Sequence, residues 1–135
     1  MGDFPKWMPD GCPQDSEEIE CTLYRGCKDN PPSDEDLTPH ALSSKPRKQK
    51  LAEGMGCIGF ALSVWVTEAD ATHAQKLFPK LGAKWHIFAA KVSKTDGQLA
   101  ATPSRSQPGH HSYWPYENVD LKGRLSLAIP PLVNS

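Results

Sequence analysis

The chain has no excess of positive charge, no long apolar run and no closely spaced cysteine pair, and each absence removes a class of function. Fifteen basic residues against sixteen acidic ones leave a formal net charge of -1. No general electrostatic pull therefore draws it to nucleic acid or to an anionic membrane. No apolar stretch approaches the roughly 20 residues that a membrane-spanning helix needs. The opening Met1-Gly2-Asp3-Phe4-Pro5-Lys6-Trp7 lacks the basic-then-apolar layout of a signal peptide. Gly2 invites comparison with a myristoylation signal, but Lys6 stands where that signal carries Ser or Thr. The expected address is cytoplasmic, with no membrane partner.

Cys12, Cys21, Cys27 and Cys57 permit two disulfides in three pairings. With no secretory signal, reduced thiols are the expectation. The spacings are too irregular for a zinc site, so no metal ligand is assigned. Cys57, ahead of an apolar stretch, reads as a small core residue. The chain also lacks a nucleophile elbow, a phosphate-binding glycine loop, a zinc-protease helix and a paired-carboxylate pattern.

What is abundant is proline, 13 of 135 residues, clustered outside the strand-like stretches. Long ordered loops are expected around a single core, which this length can support. Residues 1–20, with Pro5, Pro9 and Pro13, read as an irregular arm that Trp7 and Met8 could pin to the body. Residues 21–135 read as one α+β domain with a small mixed or antiparallel sheet, few helices and long Pro-rich loops.

Within that domain Cys21–Gly26 forms a short strand by its Thr22-Leu23-Tyr24 run. Ser33 with Asp36 three residues on resembles a capping box for a turn over 34–37, stopped by Pro39. Ser44 is placed to cap a helix from Pro46 to Glu53 that Gly54 ends. Ile58–Val66 is apolar on both faces and reads as the central strand. Thr67-Glu68-Ala69-Asp70 starts a helix whose apolar face is Ala74, Leu77, Phe78 and Leu81, ended by Pro79 and Gly82. Trp85–Val92 is a second two-faced strand, the Asp96-Gly97 turn leads into a short strand back over 98–101, and 125–129 closes the order. Thr102–Pro115 reads as a loop.

Polar groups set in or beside apolar strands are costly unless paired, so they mark candidate site residues. Arg25 presents a planar fork of donors suited to a pyrophosphate or carboxylate; its structural alternative is a salt bridge. Ser63 offers a hydroxyl between Leu62 and Val64, for a ligand or for a neighbouring backbone group. His110 and His111 suit acid–base work, although neighbours in an extended chain diverge and will not face one atom. Tyr113 and Trp114 suit a stacking wall, or else they anchor the loop to the core. His40 is placed to reach the same cleft, while His73 and His86 read as structural. The run from Lys45 to Lys50 suits phosphates or a solvated face.

The order of Leu23-Tyr24-Arg25-Gly26, then Gly59 to Thr67 with Ser63 running into a helix, then the His110-His111 segment, resembles the ADP-ribosyltransferase superfamily. The resemblance covers roughly 22–129 and implies an NAD site. In it Arg25 would hold the pyrophosphate, Ser63 the nicotinamide ribose or amide, His110 or His111 would assist the reaction, and Tyr113 and Trp114 would flank the ring. The family's serine-x-serine is reduced to Ser63, and Glu117 is the only acid near the position of its catalytic Glu. The same islands also resemble small bacterial proteins of unassigned function. The function expected is NAD or nucleotide binding, with ADP-ribosyl transfer or NAD cleavage as the implied reactions. The alternative is a non-catalytic interaction or immunity-type subunit, with Trp7, Trp114 and Tyr116 as anchors for a partner protein.

Overall fold

A computed structural model describes residues 2–78 and 80–132. Among them the chain forms β1 (Cys21–Cys27), α1 (Pro46–Glu53), β2 (Leu62–Val64), α2 (Glu68–Leu77), β3 (His86–Val92), β4 (Gly97–Ala101), β5 (His111–Pro115), α3 (Leu121–Arg124) and β6 (Ser126–Ile129). The strands make two three-stranded antiparallel sheets, ordered β1-β3-β6 and β2-β5-β4, so the α+β class holds. No described helix is long and apolar enough to cross a membrane.

The two sheets meet at one point. Tyr24 and Trp65 exchange backbone bonds of 2.7 and 2.9 Å, which joins β1 to the end of β2. Leu23, Leu62, Val64, Ala90, Val92, Leu99 and Tyr113 form the principal core cluster around this junction. Truncating one of these, such as Leu23, would cost about 2–5 kcal/mol through lost burial and the cavity left behind.

Local signals account for both longer helices. Thr67 accepts the Asp70 N–H with its hydroxyl and so caps α2, whose buried face is Ala71, Ala74 and Gln75. The expected apolar face is corrected there: α2 ends at Leu77, Phe78 and Leu81 are exposed beyond it, and Pro79 lies outside the described residues. α1 keeps its expected span, with Pro46 in its first turn and Gly54 after its last residue. Its N-cap is Lys45 rather than Ser44, and no side chain caps it.

Three strand expectations change. The expected strand over 58–66 shortens to Leu62–Val64, because Gly56–Phe60 turns as a 3-10 helix. A Cβ on Gly59 would clash with the Ala52 carbonyl oxygen, so the chain presses against the end of α1 before it can extend. β4 pairs with β5 over the full run Gly97–Ala101 instead of folding back on β3. The expected loop ends at His110, since His111–Pro115 is the middle strand of its sheet.

The arm crosses the β4–β5 side. Glu17 exchanges bonds of 3.0 and 2.9 Å with Leu99, Trp7 stacks on Phe60, and Phe4 and Met8 pack against the Ala61, Ala100 and Trp114 cluster. Reduced cysteines are corrected in part: Cys12 and Cys57 form a disulfide with Cα atoms 5.4 Å apart, while Cys21 and Cys27 are free. Burial pushes the Cys27 thiol up to about 12, so it is inert rather than nucleophilic.

Candidate functional site

Where β1 and β2 part beyond the Tyr24–Trp65 junction, a cavity of about 240 Å³ opens. Its walls bring together Arg25, Ser63, Trp65, Trp85, Gln107 and His110, with His40, Lys28, Lys48, Glu35 and Asp36 around them. Residues far apart in the chain converge here because a split between sheets exposes side chains that an unbroken sheet would bury.

Arg25 spans the split. Its Nη1 donates to the Ser63 carbonyl at 2.8 Å, and its Nε and Nη2 donate to the Asp36 carbonyl at 3.0 and 2.7 Å. A guanidinium has five N–H donors, so two remain uncommitted. All its partners are neutral carbonyls; among the described residues no carboxylate lies within ion-pair distance of it. Burial, only partly offset by the Asp36 charge, lowers its pKa. The charge is thus held in place but not neutralised by contact.

Asp36 does a structural job beside it. Its carboxylate accepts the N–H groups of Lys28, Asp29 and Ser33 at 3.0, 3.2 and 3.0 Å, and the Ser33 hydroxyl accepts the Asp36 N–H in return. This is the reciprocal bonding of the expected capping box, on a 3-10 turn over Glu35–Leu37. Burial alone would raise the Asp36 carboxyl, but the N–H donors of Ser33, Lys28 and Asp29 outweigh it and hold it low. The remaining carboxylate of the cavity, Glu35, is 3.4 Å from Lys45.

Ser63 is exposed on β2 between buried Leu62 and Val64. Strand alternation puts Trp65 on the same side. Trp65 and Trp85 lie with ring centroids 6.0 Å apart, and the Trp65 indole N–H donates to Gln107 Oε1 at 3.0 Å. A Cβ on Gly26 would lie 2.9 Å from the Trp85 ring, so glycine lets Trp85 sit close over β1. Alternation from Ser63 was the available sign of Trp65; no local sign marks Trp85.

His110 lies in the wall, with Nδ1 3.1 Å from the Thr102 carbonyl and 2.9 Å from its hydroxyl. With Nδ1 protonated toward that carbonyl, Nε2 keeps its lone pair for a ligand. Burial, together with the His111 and Arg25 charges, lowers the His110 pKa against the raising effect of the Thr102 bond. At the rim, partial burial and then Lys48, Arg25 and Lys28 lower that of His40. Both imidazoles are therefore neutral near pH 7.

The other candidates fall outside the cavity. His111 turns away on β5, its Nδ1 against the Gly109 carbonyl at 2.9 Å. Tyr113 and Trp114 do not flank a cleft: each is 1% exposed in the core, and the Trp114 indole N–H donates to the Cys57 carbonyl at 3.0 Å. Tyr116 is buried too, so of the three expected partner anchors only Trp7 is exposed. Glu117 is exposed and lines no part of the cavity. His73 contacts the Ser106 carbonyl at 3.1 Å and His86 lies near Phe88, both away from the cavity walls. Among the described residues no group of His, Cys, Asp and Glu is placed to hold a metal ion. Comparison of the chain with protein-family models, curated proteins and solved structures finds no match in any of them.

Proposed function

We propose that the split between the sheets is a binding site for a pyrophosphate-containing nucleotide, NAD in the first instance. The observation that carries this reading is Arg25: a guanidinium fixed by two carbonyls, with donors to spare and no contacting carboxylate. Such a group suits a phosphate oxygen pair, which returns the charge interaction that the protein withholds. In the bound state Arg25 holds the pyrophosphate, and the exposed Ser63 hydroxyl bonds the nicotinamide ribose or amide. Trp85, half-buried and backed by the buried Trp65, provides the aromatic surface for a ring in place of Tyr113 and Trp114.

The reaction proposed for the site is cleavage of the nicotinamide–ribose bond, by water or by an acceptor nucleophile. The neutral His110 imidazole takes the nucleophile's proton at Nε2 as the nucleophile bonds to the ribose carbon, and nicotinamide leaves with the bonding pair. The resemblance to ADP-ribosyltransferases, carried by Arg25 and Ser63, favours this reaction; Glu35 of the cavity lies against Lys45 and Glu117 lines no part of it, so His110 is taken as the base.

A non-catalytic interaction subunit is the second reading. Leu51 and Met55, 68% and 59% exposed, with Ile58 nearby in sequence, give it apolar surface that Trp114 and Tyr116 do not. A nucleic-acid role has less support, since the basic run is divided: Lys45 pairs with Glu35 and Lys48 lines the cavity. As to compartment, the Cys12–Cys57 disulfide favours an oxidising setting over the cytoplasm.

Thermal-shift titration with NAD, ADP-ribose and a short RNA separates these readings. A ligand bound only by the folded chain raises the midpoint by mass action. A shift with NAD or ADP-ribose that Arg25→Ala abolishes supports the site; no shift with either leaves the interaction reading in its place.

A further inference from the structure

Arg25 accounts for one pyrophosphate, yet the cationic surface extends past it. A second groove of about 270 Å³ adjoins the cavity, the two sharing Glu35, His40 and Lys48 in their walls. The second groove adds Thr38, Ser43 and Ser44. Among the described residues neither Lys28 nor Lys48 has an ion-pair partner. The nearby carboxylates are otherwise engaged: Asp36 is taken up by three backbone N–H groups, and Glu35 lies against Lys45.

In a chain of net charge -1, a wall that gathers Arg25, Lys28 and Lys48 beside two imidazoles carries a local positive field. Like-charged lysines crowd one another there: burial first, then Lys28, Lys45 and Arg25, lower the Lys48 pKa, with Glu35 opposing. That arrangement is unfavourable in the free protein and becomes favourable when a dianion enters. A lysine ammonium is a compact point charge that suits a tetrahedral phosphate. The Ser44 hydroxyl is exposed at the same groove and has a donor to offer.

We infer that His40 and Lys48 of the shared wall, with Lys28 beside them in the first cavity, form a second anion subsite, which takes a phosphomonoester carried by the same nucleotide whose pyrophosphate Arg25 holds. The ligand class is thus a nucleotide with a terminal or ribose phosphate in addition to its pyrophosphate, as in NADP, in preference to NAD. This rests on the reading of the cavity as a nucleotide site. A phosphomonoester is distinguished from a carboxylate by charge, since it carries close to two negative charges at neutral pH, which matches two free lysines and a protonatable imidazole.

The test is isothermal titration calorimetry of the full chain with NADP and with NAD at pH 7. NADP should bind roughly tenfold more tightly, the increment of one good charge-assisted contact. Lys48→Gln should bring NADP down to the affinity of NAD. Lys50→Gln removes the same charge from the same helix but outside both cavities, and it should leave the preference intact. The melting midpoint of each variant without ligand checks that it is folded. Equal affinities for the two nucleotides, or a preference that Lys50→Gln removes as fully as Lys48→Gln, overturns the subsite and leaves the Arg25 site standing. Failure of both nucleotides to bind overturns the nucleotide site itself, and the subsite with it.

Discussion

Arg25 in the cleft and Arg124 at the end of α3 carry the same guanidinium in opposite electrostatic settings. Arg124 Nη1 donates to Asp96 Oδ2 at 2.6 Å, and that bond, with the Asp96 charge, raises its pKa. Asp96 is almost buried at the turn between β3 and β4, where it also takes the Ser93 N–H and hydroxyl. There the charges cancel within the protein and the result is a fastened turn. Arg25 is just as firmly positioned, but by two carbonyl oxygens, and its pKa is lowered instead. Position without neutralisation separates a charge offered to a ligand from one spent on the fold.

That contrast is broken most directly by exchanging the roles. Arg25→Ala should reduce NAD affinity roughly hundredfold, about 3 kcal/mol, whereas Arg124→Ala should leave affinity unchanged and lower only the melting midpoint. Calorimetric titration of the two variants side by side checks this. Equal losses of affinity would mean that the cleft is not where the nucleotide sits.

Asp96→Ala should then destabilise the chain by about 2 kcal/mol, since it leaves the partly buried Ser93 donors and Arg124 without their acceptor. Urea unfolding provides the value. The same carboxylate gives a pH signature. Asp36 and Asp96 both have folded values below the ordinary 3.8, so the unfolded chain binds protons more readily in the window beneath it. Their contribution is complete above 3.8 and is lost as pH falls through the folded values. Unfolding midpoints below pH 4 should fall steeply in the parent and less so in Asp96→Asn.

The smallest effect sharpens the cleft's side of the comparison. His40 and His110 are held below 6.5, the former beside Lys48, Arg25 and Lys28 and opposite Glu35 and Asp36. A phosphate beside His40 would offset those cations and raise its value, so binding takes up a proton there and affinity grows as pH falls from 7.5 to 6. A change of a fewfold is expected, and titrations in buffers of different ionisation enthalpy would reveal the uptake. Affinity that is flat over this range would mean that His40 does not meet the anion.

Much of the local structure was legible. Thr67 with Asp70 marks the start of α2, Pro46 and Gly54 bracket α1, and β1, β3 and β6 follow apolar runs with clear stops. These signals depend on neighbours within a turn or two, which the chain carries with it. In sequence the β5 segment reads as a loop, with polar His111 and Ser112 and strand-breaking Pro115, yet its residues are covered by β2 and β4. Burial by partners beyond a turn or two of chain leaves no local trace, and the same is true of the Cys12–Cys57 pair.

The candidate site divides in the same way. That Arg25 and Ser63 lie on strands, and that adjacent histidines must point apart, follows from chain geometry alone. Which aromatic residues face the cleft did not. Tyr113 and Trp114 satisfy every compositional expectation of a stacking wall, but they occupy a middle strand and are sealed in the core. Trp65 and Trp85 line the cleft because β1 and β2 touch once and then diverge. The α+β class, the span of α1, the start of α2 and the positions of the polar groups along the strands follow from sequence alone, since dihedral preferences and side-chain periodicity act over a few residues. Only the tertiary structure decided that the sheet splits, that Arg25 meets carbonyls rather than a carboxylate, and that its neighbours are cations, because strand pairing is settled by burial between distant segments.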